Sequence, residues 1–233
     1  MNISGIEIEV VKKDIKNMHL NVMPPSGRVR ISAPYGTSEE VINLFVVKKI
    51  SWIKKQVEKF NSQERQTERE YITGESHYLW GRRYKLEVRY SNKGNNIIIK
   101  GNKMILTVRE KSTRKQRENY VNEWYRSELK AKLASLVKKW EETIGVKANE
   151  VSVKNMKTRW GTCNPETKRI LVNLQLAKKP VKCLEYIVIH ELVHLKEKNH
   201  TKAFIEQMDS YMPDWRVAKD DLNSFIMDRY MEE

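Results

Sequence analysis

Apolar and polar positions alternate in two early stretches, Ile6-Glu7-Ile8-Glu9-Val10 and Val29-Arg30-Ile31, which predicts strands with one buried face. Pro34-Tyr35-Gly36 closes the run, and Thr37 or Ser38 with Glu40 then has the pattern of a capping box. It opens one predicted helix through Val41, Leu44, Phe45, Trp52, Ile53 and Val57. Residues 61–70 hold no apolar side chain and read as a surface linker. Short strands are expected at 84–90, 96–100 and 104–108, separated by Asn/Gly turns at 92–95 and 101–102.

From Ser112 the period changes. Tyr120, Trp124, Leu129, Leu133, Leu136, Val137 and Trp140 recur at helical spacing, and Gly145 ends the run. Two strands are expected at 151–158 and 169–173, around a hairpin at Asn164-Pro165. Leu184, Tyr186, Ile187, Val188, Ile189, Leu192, Val193 and Leu195 then cover every face of a helix, so this segment reads as buried. A last helix from Asp214 carries Val217, Leu222 and Ile226. No internal repeat is visible. The order fits an α+β fold with a β-rich region over 1–110, containing one helix, and a second domain over 111–233 in which a sheet lies beside the buried helix.

That buried helix carries the chemistry. His190-Glu191-Leu192-Val193-His194 reads HExxH, and residues four apart on a helix lie one above the other, so both imidazoles can grip one ion. Glu191 can then act as general base toward a bound water. Burying these polar groups unpartnered would cost about 2–7 kcal/mol for each neutral one, a cost that a metal resolves. Catalytic zinc has three protein ligands and a water. His200 is the leading third donor, with Glu206 and Glu197 as alternatives. For His200 to reach the ion the helix must break, and Asn199, tolerant of the left-handed conformation, is the expected place. Asn199 or Thr201 could start a further helix carrying Ala203, Phe204, Ile205 and Met208. The ion is expected to be one zinc, although imidazole sites also take iron, nickel or copper. Arg159, Tyr211 and Arg216 are candidate oxyanion stabilisers, and His19 and His77 read as surface or turn residues.

Here the chain resembles the YgjP-like metallopeptidases, which are related to the WLM and SprT-like groups. Arg159-Trp160-Gly161-Thr162-Cys163 is similar to that family's RWGSC segment, with Thr162 in place of Ser. Ile170, Asn173, Leu174, Leu176 and Pro180 match the family's next strand and loop, Glu185 to Ile189 leads into the helix, and Asn199-His200 with Phe204 matches its ending. Upstream, residues 29–34, Lys49 with Trp52-Ile53, and residues 81–86 also match. The resemblance implies a zincin-like catalytic domain with His190, His194 and His200 as ligands and Glu191 as base. Zincin-like proteins hold an extended substrate on an edge strand by backbone pairing. Residues 159–163 are the candidate for that neighbourhood, with Arg159, Trp160 and Gly161 as substrate-binding residues.

Composition alters the picture in three places. The 233 residues, 39% hydrophobic, suffice for one sizeable core or two small ones. No apolar run approaches the roughly eighteen residues of a membrane span, and the N-terminus lacks the regions of a signal peptide. Cys163 and Cys183 are too few for a disulfide framework and fit a reducing cytoplasm, with Cys163 read as a small buried thiol near the site. The net charge of +14 peaks at residues 111–139, where nine basic residues meet three glutamates. Helical lysines usually form a solvated face, and no nucleic-acid-binding motif is present. Three functions fit these features: a zinc peptidase acting on polypeptide, a metal-dependent hydrolase of nucleotide phosphoanhydrides, and a nucleic-acid-associated metalloprotease.

Overall fold

The first alternating stretches form a sheet as their pattern requires. Strands β1 (Asn2–Ile3), β2 (Ile6–Lys13), β3 (His19–Met23) and β4 (Arg28–Pro34) lie in the order β1-β2-β4-β3, with β2 parallel to β4 and the other pairs antiparallel. Register places Ile8 beside Val29 and Val10 beside Ile31, and Ile8, Val29, Ile31 and Ala33 are buried on one face. Helices α1 (Glu39–Val47) and α2 (Ile50–Ser62) cover it. The single helix expected here is thus two. Ser38 caps the first, its hydroxyl accepting from Val41 N–H, and the Lys48 N–H closes it on Leu44 O at 3.1 Å. The break resets the buried stripe to Ile42, Val46 and Ile53, leaving Val41, Leu44 and Trp52 exposed.

The computed structural model describes residues 1–23, 27–62 and 69–224. Residues 63–68 of the expected linker and Ile226 of the last helix lie outside them. The chain divides into two compact units, Met1–Thr67 and Glu68–Glu233.

The second unit opens with β5 (Ser76–Leu79), β6 (Arg82–Tyr90), β7 (Asn96–Lys100) and β8 (Lys103–Val108), ordered β5-β6-β8-β7 with β6 parallel to β8. Order and strand directions repeat those of the first sheet. The internal repeat that the sequence does not display is therefore present as topology. Helix α3 (Arg114–Ile144) comes next, held at its start by a reciprocal Thr113–Gln116 capping box and ended by Gly145 at φ 73°. Its buried stripe is Val121, Tyr125, Leu129, Leu133, Trp140 and Ile144, with Tyr120 exposed. Leu86, Met104 and Leu106 of the sheet share one core with this stripe and with the buried helix beyond it. For that reason the units part at 67/68 and not near 110, where the pattern changes from strand to helix.

Strands β9 (Glu150–Lys154), β10 (Gly161–Asn164) and β11 (Arg169–Asn173) form the third sheet, ordered β10-β11-β9. The hairpin at Asn164-Pro165 joins β10 to β11, whereas the sequence pattern placed it after one long strand at 151–158. A 3₁₀ turn (Leu174–Lys178), α4 (Val181–Val193), α5 (Lys202–Tyr211) and α6 (Trp215–Ser224) complete the unit. In α6 the buried residues are Trp215, Ala218 and Leu222, and Val217 faces solvent. The fold is α+β. No described helix is long and apolar enough to cross a membrane.

Candidate metal centre

Helix α4 is buried on nearly all sides, from Cys183 through Val193, which fixes the rotation of every residue on it. His190 lies in its last turn and His194 at its C-cap, where the His194 N–H still bonds His190 O at 3.2 Å. The two imidazoles therefore keep the one-turn stacking that the spacing predicts. The helix stops at Val193, earlier than expected, and Asn199 is not among the residues with positive φ. Leu195 N–H to Leu192 O and Lys196 N–H to Val193 O tighten the exit instead. This turn returns the chain so that His200 meets His190, and Thr201 caps α5 by accepting from Phe204 N–H at 3.3 Å.

One ring nitrogen from each of His190, His194 and His200 lies within 4.8 Å of the other two, and the three form the metal-capable cluster among the described residues. His200 Nε2 stands 3.1 Å from His190 Nε2. Two ligands in a tetrahedral zinc site, with Zn–N near 2.0–2.1 Å, lie about 3.3 Å apart, so this edge fits the ion. His194 Nδ1 bonds Glu197 O at 2.9 Å, which assigns its proton there and leaves Nε2 free to coordinate. His190 Nδ1 is buried with no partner among the described residues. Burial, reinforced by His194, His200 and Lys219, holds the His190 imidazole neutral down to about pH 3, and burial with His194 and Lys219 also lowers His200. Neutral imidazole is the form that binds metal. Phe204 packs against all three rings, with centroids 4.8–5.0 Å away. The donor set fits a zinc ion. Glu206 instead pairs with Lys202 at 3.6 Å, and Glu197 contributes its carbonyl to His194, so neither joins the cluster.

Glu191 is only 5% exposed, and burial pushes its carboxyl up to about 8, opposed by the Arg159 guanidinium. Its neighbour on β10 is Gly161. A side-chain carbon added to that glycine would lie 2.6 Å from Glu191 Oε1, 2.8 Å from Ile187 Cγ2 and 2.9 Å from Glu191 Cγ. Only hydrogen fits there. The sequence places Gly161 in the family-like segment, but the reason for glycine is this contact with Glu191. Cys163, two residues on, feels the same carboxylate, and burial followed by Glu191 raises its thiol to about 11, so it stays protonated and inert.

The segment before β10 is held by Asn173, fully buried at the end of β11. Its Nδ2 donates to Met156 O at 2.8 Å and Arg159 O at 2.7 Å, and its Oδ1 accepts from Met156 N–H and Gln175 N–H. Its own N–H donates to Trp160 O at 2.9 Å. Four of these five bonds fix residues 156–160 and the register with which Gly161 enters β10. Periodicity could not reveal this hub; its traces in the sequence are a lone Asn ending an apolar strand and the match of Asn173 to the family's strand and loop.

The remaining candidates separate. Arg159 acts on Glu191, whereas Arg216 is tied to Asp209 and packs over Trp215 at 4.5 Å. Tyr211 packs against the core. His19 is exposed on β3. His77 is neither a surface nor a turn residue: it is 1% exposed on β5, 3.4 Å from Glu75 Oε2.

The model of the YgjP-like metallopeptidase domain matches residues 16–225, most of the chain. The chain belongs to the YgjP-like metallopeptidase family. It is accordingly a metal-dependent hydrolase of the metallopeptidase class, and the family implies a metal. No curated protein matches it. Among solved structures, the metallopeptidase zymogen abylysin of Pyrococcus abyssi is similar at 21% identity over 39% of this chain and 89% of that one, with a TM-score of 0.35. The zymogen jannalysin of Methanocaldococcus jannaschii is similar at 21% over 39% and 93%, with a TM-score of 0.36. At those scores neither carries weight in the functional argument.

Proposed function

We propose that the protein is a zinc-dependent peptidase in which His190, His194 and His200 hold the ion, Glu191 is the general base, and β10 receives an extended polypeptide. The observation that carries this is the convergence of three imidazoles beside a buried carboxylate, directly under a strand that, among the described residues, pairs on one side only. When bound, zinc would supply a Lewis acid and make water acidic enough to ionise near neutrality. Glu191 takes the proton of the attacking water on a carboxylate oxygen and later passes it to the departing amine. Backbone groups of β10 would orient the substrate by strand pairing, and Trp160 and Arg159 stand at the start of that edge. Residues 159–161 are thus assigned to substrate.

The nucleotide and nucleic-acid readings gain no such support. The basic residues of α3 are in good part engaged within the fold: Arg126 with Val153 O, Lys139 with Glu185, Lys115 with Glu118, and Arg114 with Arg69 O.

The test compares wild type with Glu191→Gln after measuring metal content. Both should hold one zinc per chain, and the variant should cleave an unfolded protein about 10²–10⁴-fold more slowly. Hydrolysis of nucleoside triphosphates, with unfolded protein left intact, would replace the peptidase reading by the nucleotide one.

A further inference from the structure

The β5–β8 sheet turns one face to the core and the other away from it. Leu86 of β6 and Met104 and Leu106 of β8 point inward. By the two-residue period of a strand, Arg83, Lys85, Glu87 and Arg89 of β6 point the other way, as does Lys103 of β8. Register sets the cations side by side. Lys85 lies opposite Lys103, and Lys103 opposite Lys100 of β7. Three lysines thus form one row across three adjacent strands, about 5 Å between strands. Arg83 stands one row away, opposite Tyr78 of β5.

Like charges directly opposite on neighbouring strands are destabilising. One carboxylate among the strand residues of this face answers them: Glu87, 2.8 Å from Lys103 and 2.6 Å from Arg89. Lys85, Lys100 and Arg83 are exposed, and none of the three has an ion-pair partner among the described residues. Five cations against one carboxylate leave the face at +4. On α3 the basic residues are in good part engaged within the fold, whereas here three of them are left to solvent.

A row of unpaired cations recognises a chain of repeating anions. Tyr78, 37% exposed beside Arg83, adds an aromatic surface at the β5 end of the row. Cations that track a backbone and a ring that stacks a base are the two parts of a platform for single-stranded nucleic acid. An acidic peptide would use the cations and have no need of the ring. A lipid surface is flat, but adjacent strands are rotated by about 20–25°, so a flexible strand follows the row better than a plane does.

We propose that the outer face of the β5–β8 sheet binds single-stranded nucleic acid, with phosphates on Arg83, Lys85, Lys100 and Lys103 and a base on Tyr78. It is a docking surface and carries no bond cleavage of its own.

The experiment uses the full chain loaded with zinc and a fluorescein-labelled oligothymidylate of about 16 nucleotides, the upper site size for one such platform. Fluorescence anisotropy gives Kd as salt rises fourfold, from about 50 to about 200 mM KCl. Four phosphate contacts on a single strand predict a slope of log affinity against log salt near −2.8, a loss of about 50-fold over that range. Lys85→Gln with Lys100→Gln should weaken binding and halve the slope, leaving a loss of about sevenfold. Tyr78→Ala should weaken binding about fivefold or more with the slope kept, and Tyr78→Phe should retain it. Lys130→Gln with Lys138→Gln, exposed on α3, removes the same charge and should change neither affinity nor slope.

If that α3 pair matters as much as the sheet pair, binding belongs to the diffuse charge of +14 and the proposal falls. A polyglutamate peptide bound as tightly as the oligonucleotide, with Tyr78→Ala without effect, would overturn it in favour of an acidic polypeptide. Sedimentation with phosphatidylserine vesicles, without binding of the oligonucleotide, would overturn it in favour of a membrane surface. No binding at the lowest salt would overturn it outright. The peptidase reading is decided separately, by cleavage of unfolded protein.

Discussion

Gly161→Ala is the most direct probe of how the site is assembled. The added carbon would enter with three atoms inside 3.0 Å, two of them on Glu191. Ordinary contact begins near 3.4 Å, so Oε1 alone must retreat by about 0.8 Å. Glu191 and Ile187 are each 5% exposed on a helix buried on nearly all sides, and α4 cannot turn to make room. Overpacking of this kind costs about 1–3 kcal/mol, which for a chain of this length lowers Tm by about 2–12 °C. The effect on rate should be larger in proportion. Among the described residues β10 pairs only with β11 and can yield outward, softening the clash while shifting the edge proposed to receive substrate. A displacement near 1 Å at a reacting group costs about 10²-fold. The expected result is one zinc per chain, a modest fall in Tm, and kcat on an unfolded protein lowered about 10²-fold. Wild-type kcat and Tm together would refute the argument that Gly161 is required for space. Loss of zinc in step with loss of activity would move the effect from the base to the ligands.

Asn173→Ala should cost about 3 kcal/mol or more, because two carbonyls and two N–H groups lose their buried partner at once, and urea unfolding checks this. Asn173→Asp keeps the acceptor and loses both donors, so it should also fall short of wild type. The metal-free protein should show a pH dependence centred on two groups. Below about pH 4.5 Glu191 is protonated in both states; from there to about pH 8 only the folded chain keeps the proton, so stability falls as pH rises, by up to about 1.4 kcal/mol per unit. His190 acts oppositely between about pH 3 and 6.5, where only the unfolded chain binds the proton and stability rises with pH. Glu191→Gln should flatten the decline between pH 6.5 and 8, and an unchanged slope in metal-free urea titrations would sink the assignment. Removing metal with a chelator should lower Tm, since an ion at a thousand times its Kd stabilises by about 4 kcal/mol. His200→Ala should abolish most of that difference, as read by calorimetry with and without zinc.

The chemistry of α4 was legible because one-turn spacing survives any packing: His190 and His194 had to share a face. His200 could be named by type, but its route to the site depended on a helix exit set by His194 and the 192–195 and 193–196 bonds, which no capping residue announces. Periodicity gave no sign of β10, because four residues containing a glycine and no apolar alternation carry no strand signal; only the family resemblance pointed to residues 159–163 as an edge-strand neighbourhood. The division into units was misplaced because strands at 84–108 look like the earlier ones locally. Only their shared core with Val121, Tyr125 and Leu129 assigns them to the catalytic unit. His77 and Asn173 are polar residues whose burial comes from tertiary contacts alone, and periodicity is silent about those.

The one-sided pairing of β10 has a colloidal consequence. An unpaired strand edge invites any extended chain to add to it, another copy of the same protein included. Here the edge is four residues long, bounded by Trp160 and by the turn at Asn164 and Pro165, which leaves little length for self-templating. The net charge of +14 adds a long-range repulsion between copies that an incoming acidic chain does not experience. The edge proposed to receive polypeptide would thus be kept from nucleating aggregates by the sign of the protein's net charge, and high salt, which screens that repulsion, should make the protein more prone to associate.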